Sequence, residues 1–312
     1  MPRVDFEAFV NQRRSPPPAF VYKYTTVDTA RAILSTGKLR FQSPLRYNDP
    51  FDVQWDPFWS LRSKQGLAAY REVLREAISD PASWPREISS EAAEHLGGER
   101  RLLSDHTPEQ FELFLDRLVE SLDASQAATA MARRNLDDLR RRMRLLCVSA
   151  VSDSVLMWSH YADQHRGVVL VFSSERLEAG LRVPLQPVQY CDLLPRVYDD
   201  RKFYREMVYG LEGDSGLMRD LTWALAKHSG WKYEAEWRMT TVADQGTLGD
   251  YGDYAFPHDA LVAIKAGCRA KSHEARELLI LARAFSRQIE LYQMRMHESK
   301  FSVEVDSHAE RY

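Results

Sequence analysis

The run Gly167-Val168-Val169-Leu170-Val171-Phe172 constrains the fold more than any other stretch of this 312-residue chain. Five consecutive apolar side chains leave neither face of an extended segment polar, which predicts a central strand covered on both sides. The surrounding sequence supplies the cover and the neighbours. Phe20–Tyr24 (FVYKY) and Glu236–Ala243 (EWRMTTVA) alternate like strands, and LLCVSAV, ALVAIKAG and QIELYQM read as further strands. Thr26 or Asp28 can cap a short helix, TARAILSTG, that Gly37 ends in a left-handed turn, and KLRFQSP follows as a strand. LMWSHYADQ, RKFYREMVYGL, SGLMRDLTWALAKH and EARELLILARAF carry helical spacing, while VPLQPVQYCD reads as extended. Strands and helices mix without a βαβ rhythm, so the expectation is an α+β fold with a central mixed or antiparallel sheet.

Residues 60–144 differ. GLAAYREVLREAI, PEQFELFLDRLVESL and MARRNLDDLRRRMRLL repeat apolar residues every three or four positions, and Pro81, Pro85 and Gly97-Gly98 separate them. This predicts a helical insertion within one domain spanning residues 20–312. Residues 1–19, which include Arg13-Arg14-Ser15-Pro16-Pro17-Pro18, read as a lead-in.

Composition removes several classes. With 44% hydrophobic and 11% aromatic residues the chain has ample material for a core, which excludes intrinsic disorder. A net charge of −3 argues against a general phosphate-coating surface. No stretch approaches the roughly 18 apolar residues of a spanning helix, and the N-terminus lacks an apolar signal core. The three cysteines, Cys147, Cys191 and Cys268, are far apart and show no CxxC spacing. The expectation is a cytoplasmic protein without a membrane partner. Common nucleotide-loop, zincin and hydrolase signatures are absent.

Four stretches carry side chains suited to chemistry. Asn48-Asp49-Pro50-Phe51-Asp52 is a turn whose carboxylates either satisfy turn amides or face a pocket. Trp158-Ser159-His160-Tyr161 packs polar-tipped rings into one helical turn, as a core helix or as a pocket wall that stacks a planar ring. His160, Asp163 and His165 are poorly spaced for a metal pair, and no metal is expected. In Glu234-Ala235-Glu236-Trp237-Arg238, an extended chain would put both glutamates and Arg238 on one side. That ladder is either solvated cross-strand charge or a pocket where Arg238 keeps a carboxylate ionised.

The blocks FVYKYTT, AILSTGKLRFQSPLRYNDPFD, CVSAVSDSVLMWSHYADQHRGVVLVF and WKYEAEWRM together resemble a bacterial and phage domain family of unknown function, over about Phe20 to Val305. The order of elements also resembles the ADP-ribosyltransferase core. That second resemblance implies NAD as substrate, with Glu236 stabilising the charge that develops as nicotinamide leaves and Glu234 completing a Glu-x-Glu pair. It places Lys23, Tyr24 or Thr25 at a first-strand ligand position and Ser149 or Ser159 at a middle one. Trp158 and Tyr161 would stack a ring, with His160 beside them, Arg238 or Arg166 would meet pyrophosphate, and Asp49 would fix the pocket loop. Tyr22-Lys23-Tyr24 stands where the transferase pattern has Arg or His.

The function implied is an ADP-ribosyltransferase-like enzyme or NAD glycohydrolase, serving as a toxin, an effector or in phage defence. Its acceptor would be a protein, a nucleic acid or water. Two rivals stand beside it: a non-catalytic nucleotide- or protein-binding module, and a metal-dependent nuclease built on Asp49, Asp52, Glu234 and Glu236.

Overall fold

The computed structural model describes residues 16–125, 127–196, 199–211, 221–247 and 249–306. Most of the expected lead-in, and the start of the helix expected at SGLMRDLTWALAKH, lie outside these residues. In chain order the first elements are β1 (Phe20–Thr25), α1 (Val27–Thr36) and β2 (Lys38–Gln42). Four helices follow: α2 (Lys64–Ser79), α3 (Ser90–Leu102), α4 (Pro108–Ser125) and α5 (Ala127–Arg142). Then come β3 (Met143–Ser149), α6 (Val155–Tyr161), β4 (Val168–Ser173), α7 (Ser174–Leu181), β5 (Leu185–Pro187), β6 (Gln189–Cys191) and α8 (Asp200–Val208). The last are β7 (Ala226–His228), β8 (Glu236–Val242), β9 (Tyr251–Ala255), β10 (Leu261–Ala266), α9 (Ser272–Arg283), β11 (Glu290–Met296) and β12 (Val303–Val305).

These elements fall into two compact units. Trp55–Leu139 and Leu194–Trp223 form one. Within it α2 buries Tyr70, Val73, Leu74, Ala77 and Ile78, a stripe at helical spacing. Tyr70 meets Tyr204 of α8 with ring centroids 4.9 Å apart, and the Tyr204 hydroxyl donates to the Leu61 carbonyl at 2.7 Å. Gly97 and Gly98, expected to interrupt the helices, lie inside α3. Glycine costs a helix about 1 kcal/mol and does not by itself end one.

The second unit is built on a mixed sheet of ten strands, ordered β12-β11-β10-β4-β1-β3-β2-β9, with β8 paired to both β3 and β5. Only β10 and β11 pair in parallel within it. β4 pairs along its length with β1 and β10, and Val168 to Phe172 are all buried. Val168, Leu170 and Phe172 pack with residues of α1 and α9, whereas Val169 and Val171 pack with Tyr24, Met157 and Trp158 on the opposite face. The apolar run is therefore a central strand, as its composition predicts. Thr26 caps α1 by accepting from the Thr29 amide, and Gly37 closes it at φ 64°.

Three local expectations change. Met143 and Arg144, placed at the end of the helical block, open β3 two residues ahead of the expected LLCVSAV strand, because Met143, Leu145 and Leu146 are buried in the sheet. Ala226–His228, read as helical, forms β7 beside β6. Glu234, which an extended chain would place on the same side as Glu236, instead ends a 3-10 turn over Ser229–Glu234. No helix among the described residues is long and apolar enough to cross a membrane.

Candidate functional site

β1 and β3 share a single pairing, Tyr22 with Ser149, and β2 joins β3 only at Gln42 and Leu145. β8 by contrast pairs with β3 across seven positions, from Met143–Val242 to Ser149–Glu236. Where β1, β2 and β3 part, a cleft of ≈ 220 Å³ opens. Tyr22, Tyr24, Tyr47 and Tyr161 contribute to its walls, and Asp52, Lys227, Glu234 and Glu236 to its floor.

The local chain geometry explains how Glu234 and Glu236 come together. The 3-10 turn ends at Glu234, and Ala235 adopts the left-handed region at φ 42° and ψ 50°, after which β8 starts at Glu236. The kink is held at both ends: the Ala150 amide donates to the Ala235 carbonyl at 2.8 Å, and the Ser149 hydroxyl to the Glu234 carbonyl at 2.6 Å. The glutamates are thus neighbours through a turn, and not through the strand alternation expected from the sequence.

Two cations knit three carboxylates into one buried network. Lys227 Nζ lies 2.5 Å from Glu234 Oε2, 2.8 Å from Glu236 Oε2 and 3.3 Å from Asp52 Oδ2. Arg238 Nε donates to Glu236 Oε1 at 2.7 Å, while Nη2 reaches Glu236 Oε2 at 3.1 Å and Asp52 Oδ2 at 2.7 Å. Its Nη1 donates to the Ala224 carbonyl at 2.6 Å. Removing so many charges from water is costly, and each partner compensates another. Burial pushes the Glu236 carboxyl up, but Arg238 and Lys227 outweigh it and hold this group well below the usual carboxylate range. Glu234 moves the other way, because burial outweighs Lys227 and raises its pKa. Tyr161 donates to Glu234 Oε1 at 2.6 Å, and burial followed by Glu234 raises the pKa of this phenol. Adjacent carboxyls with opposite shifts are the arrangement from which acid and base roles arise. Tyr47 contacts Cys147 Sγ at 3.1 Å, and burial followed by Glu236 pushes the Cys147 thiol up to about 12, so this thiol is not an activated nucleophile.

The structure gathers some of the residues singled out in the sequence and disperses others. Glu234, Glu236, Lys23, Tyr24 and Tyr161 all line the cleft. Lys23 Nζ donates to the Cys147 carbonyl at 2.9 Å, and Tyr24 to the Val151 carbonyl at 2.9 Å. Ser149 and Arg238 lie behind the floor as supports, so Arg238, 0% exposed, holds carboxylates and does not present itself to a pyrophosphate. Trp158, expected to stack a ring, is also 0% exposed, and its Nε1 donates to the Ser152 carbonyl at 3.0 Å. Its bulk makes it core, and Met157 and Tyr161 face the cleft in its place. Ser159 bonds the Val155 carbonyl and His165 Nε2, and His160 meets the Tyr233 hydroxyl at 3.0 Å. Arg166 is exposed and bonds Gln164, away from the cleft lining. Thr25 is buried at the end of β1. Asp49 accepts from Trp231 Nε1 at 2.7 Å, which ties the loop before Asp52 to the 3-10 turn.

Sequence reasoning missed Lys227 altogether, because it sits in a stretch whose spacing reads as helix. Tyr47 and Cys147 were also unmarked as neighbours of the site. No group of three or more His, Cys, Asp or Glu side chains suited to a metal ion occurs among the described residues.

Residues 157–239 match a domain family described as a protein of unknown function, DUF2971. The match takes in Lys227, Glu234, Glu236 and Arg238 but not Asp52 or β1–β3. Neither the curated proteins nor the solved structures give a match to the chain.

Proposed function

We propose that the cleft breaks the N-glycosidic bond of NAD, as an ADP-ribosyltransferase-like enzyme or an NAD glycohydrolase. The observation that carries this reading is Glu236, a carboxylate locked in its ionised form on the floor of a tyrosine-walled cleft. In the reaction the bond between ribose C1′ and the ring nitrogen breaks, and its electron pair neutralises the pyridinium as nicotinamide departs. The sugar is left with oxocarbenium character, which a preorganised negative charge stabilises without having to reorient. Water, or a nucleophile of an acceptor, then bonds to C1′ and gives up its proton. Glu234, with its raised pKa and its place in the cleft floor, is suited to receive that proton.

Nicotinamide release measured by chromatography tests the reading. Glu236→Gln keeps the shape of the side chain but removes its charge, and should slow release by about 10²–10³-fold, the range for losing one preorganised electrostatic contact. Equal release by wild type and variant would remove Glu236 from the chemistry, and no release by either would leave a non-catalytic binding module. One observation favours that module as the second reading: both oxygens of Glu236 already accept from Arg238 or Lys227.

A further inference from the structure

Met157 and Trp158 of α6 cover only part of the sheet face that carries Tyr24, Val169 and Val171. On the same face a trough of ≈ 1000 Å³ is lined by Tyr22, Val171, Ala263, Lys265 and Tyr292, from four neighbouring strands. Val171 pairs with Tyr22 on one side and Ala263 on the other, and Lys265 pairs with Tyr292. Small side chains, Val171 and Ala263, therefore lie between two tyrosines, which leaves a slot suited to a flat apolar body. Small-molecule sites usually measure about 300–1,000 Å³. Lys265 lines this slot without a counter-ion. Its Nζ donates to Ser152 Oγ at 2.7 Å and lies 5.3 Å from the centroid of the Tyr22 ring, and it forms no ion pair among the described residues. An ammonium has three N–H donors, so two are left for another acceptor. Burial lowers the pKa of this amine, and the charge of Asp153 offsets that only in part. A half-buried ammonium with no carboxylate beside it is costly, and a ligand that brings one removes the cost. The acids of the trough are held elsewhere: Glu178 accepts from the Leu185 amide at 2.6 Å, and Glu290 from the Tyr292 hydroxyl. Glu175 lies in the first turn of α7, and Arg176 pairs with Asp259 at 3.7 Å.

We propose that this trough is a second ligand site, taking a small molecule with a flat apolar body and one carboxylate that pairs with the Lys265 amine. A single negative charge matches the single unpaired cation. Glu175, Glu178 and Glu290 elsewhere in the lining disfavour a more highly charged group such as a phosphate. The trough needs nothing from the NAD reading of the cleft, with which it shares only Tyr22 among its lining residues.

Calorimetric titration of the full chain with 2-naphthoate and with 2-naphthalenemethanol compares a carboxylate with a neutral probe of the same shape. The carboxylate should bind about tenfold tighter, the factor for one charge-assisted hydrogen bond in a partly open site. Lys265→Met keeps the apolar stem and should bring the ratio to within about twofold. Lysine acetylation by acetic anhydride, mapped by mass spectrometry on the wild-type chain, locates the probe without relying on the variant's fold. Naphthoate at about nine times its Kd should slow modification of Lys265 about tenfold and leave the exposed Lys300 unchanged. Equal affinities for the two probes, an unchanged ratio in Lys265→Met, or undiminished acetylation of Lys265 would each overturn the inference. Failure of both probes to bind at millimolar concentration would also overturn it, and would leave the trough to a segment of chain or a protein partner. Nicotinamide release, present or absent, bears on the cleft alone.

Discussion

Two buried regions of the sheet unit obey opposite physics. Around β4, burial is apolar, and Leu170, Phe172, Ile264 and Leu278 lie in one continuous cluster. Beneath the cleft, burial is charged, and Arg238 and Glu236 are as inaccessible as the core valines are. The apolar region is stabilised by area removed from water, which is non-directional and tolerant of small shifts. The charged region is stable only as a complete set, since each ion is affordable only while its partners remain. The first can lose a methyl group and stay folded. The second should not survive the loss of one member with its geometry intact.

The largest expected effect comes from breaking that set. Arg238→Met removes a cation of similar length and leaves Asp52 and Glu236 facing each other with Lys227 alone between them, at a cost of about 3–5 kcal/mol in chemical denaturation. A loss below about 1 kcal/mol would mean that the network is not the tightly coupled unit its distances describe. Leu170→Ala should come next, costing about 2–5 kcal/mol through lost transfer energy and the cavity it leaves. The two variants should also differ in kind. Leu170→Ala should keep the relative nicotinamide-release activity of whatever fraction remains folded, whereas Arg238→Met should lose activity even in conditions that restore the fold.

The pH dependence of stability sharpens the same contrast, because only the charged region titrates. Glu236 has a folded pKa below its usual value of 4.5, so its contribution is complete above that pH and is lost as pH falls through the folded value. Glu234, raised above 4.5, binds its proton more tightly in the folded state. Its contribution is complete below pH 4.5 and is lost as pH rises through the folded value. Denaturation midpoints between pH 3 and 8 should therefore show a weaker acid-side loss in Glu236→Gln. In Glu234→Gln the loss on the neutral side should weaken instead. Parallel curves for both variants and wild type would refute this division between the glutamates.

The same difference explains what was legible in the sequence. Apolar burial leaves a local trace, so GVVLVF identifies a central strand and AILSTG identifies a helix ended by a left-handed glycine. Charged burial is written across distant segments, and nothing near Lys227 announces that it will meet Asp52, 175 positions earlier. Glu234, Glu236 and Arg238 stood out because they share one short stretch. Trp158 was misplaced for the opposite reason, since a tryptophan beside His160 and Tyr161 fits a pocket wall and a core helix equally well until its Nε1 is seen bonding Ser152. Residue type marked the chemistry, but only the pairing of β8 with β3 decides which side chains reach the cleft.

The smallest expected effect concerns the kink that joins the two glutamates. Ala235 holds φ 42°, where a Cβ costs roughly 1–2 kcal/mol relative to a right-handed conformation. Ala235→Gly removes that strain but adds back about 0.4–1 kcal/mol of unfolded-chain entropy, so the net change should lie between about zero and about 1.6 kcal/mol of stabilisation. Ala235→Val, β-branched and less able to adopt this region, should instead destabilise, by about 1–3 kcal/mol. Activity is the more telling readout for the glycine variant. If the kink positions Glu234 and Glu236 by strain, freeing it should lower the rate of nicotinamide release while raising stability. If the bonds from Ser149 and Ala150 already fix the turn, the rate should not change. The charged floor would then be held from its partners inward, and the turn would only follow it.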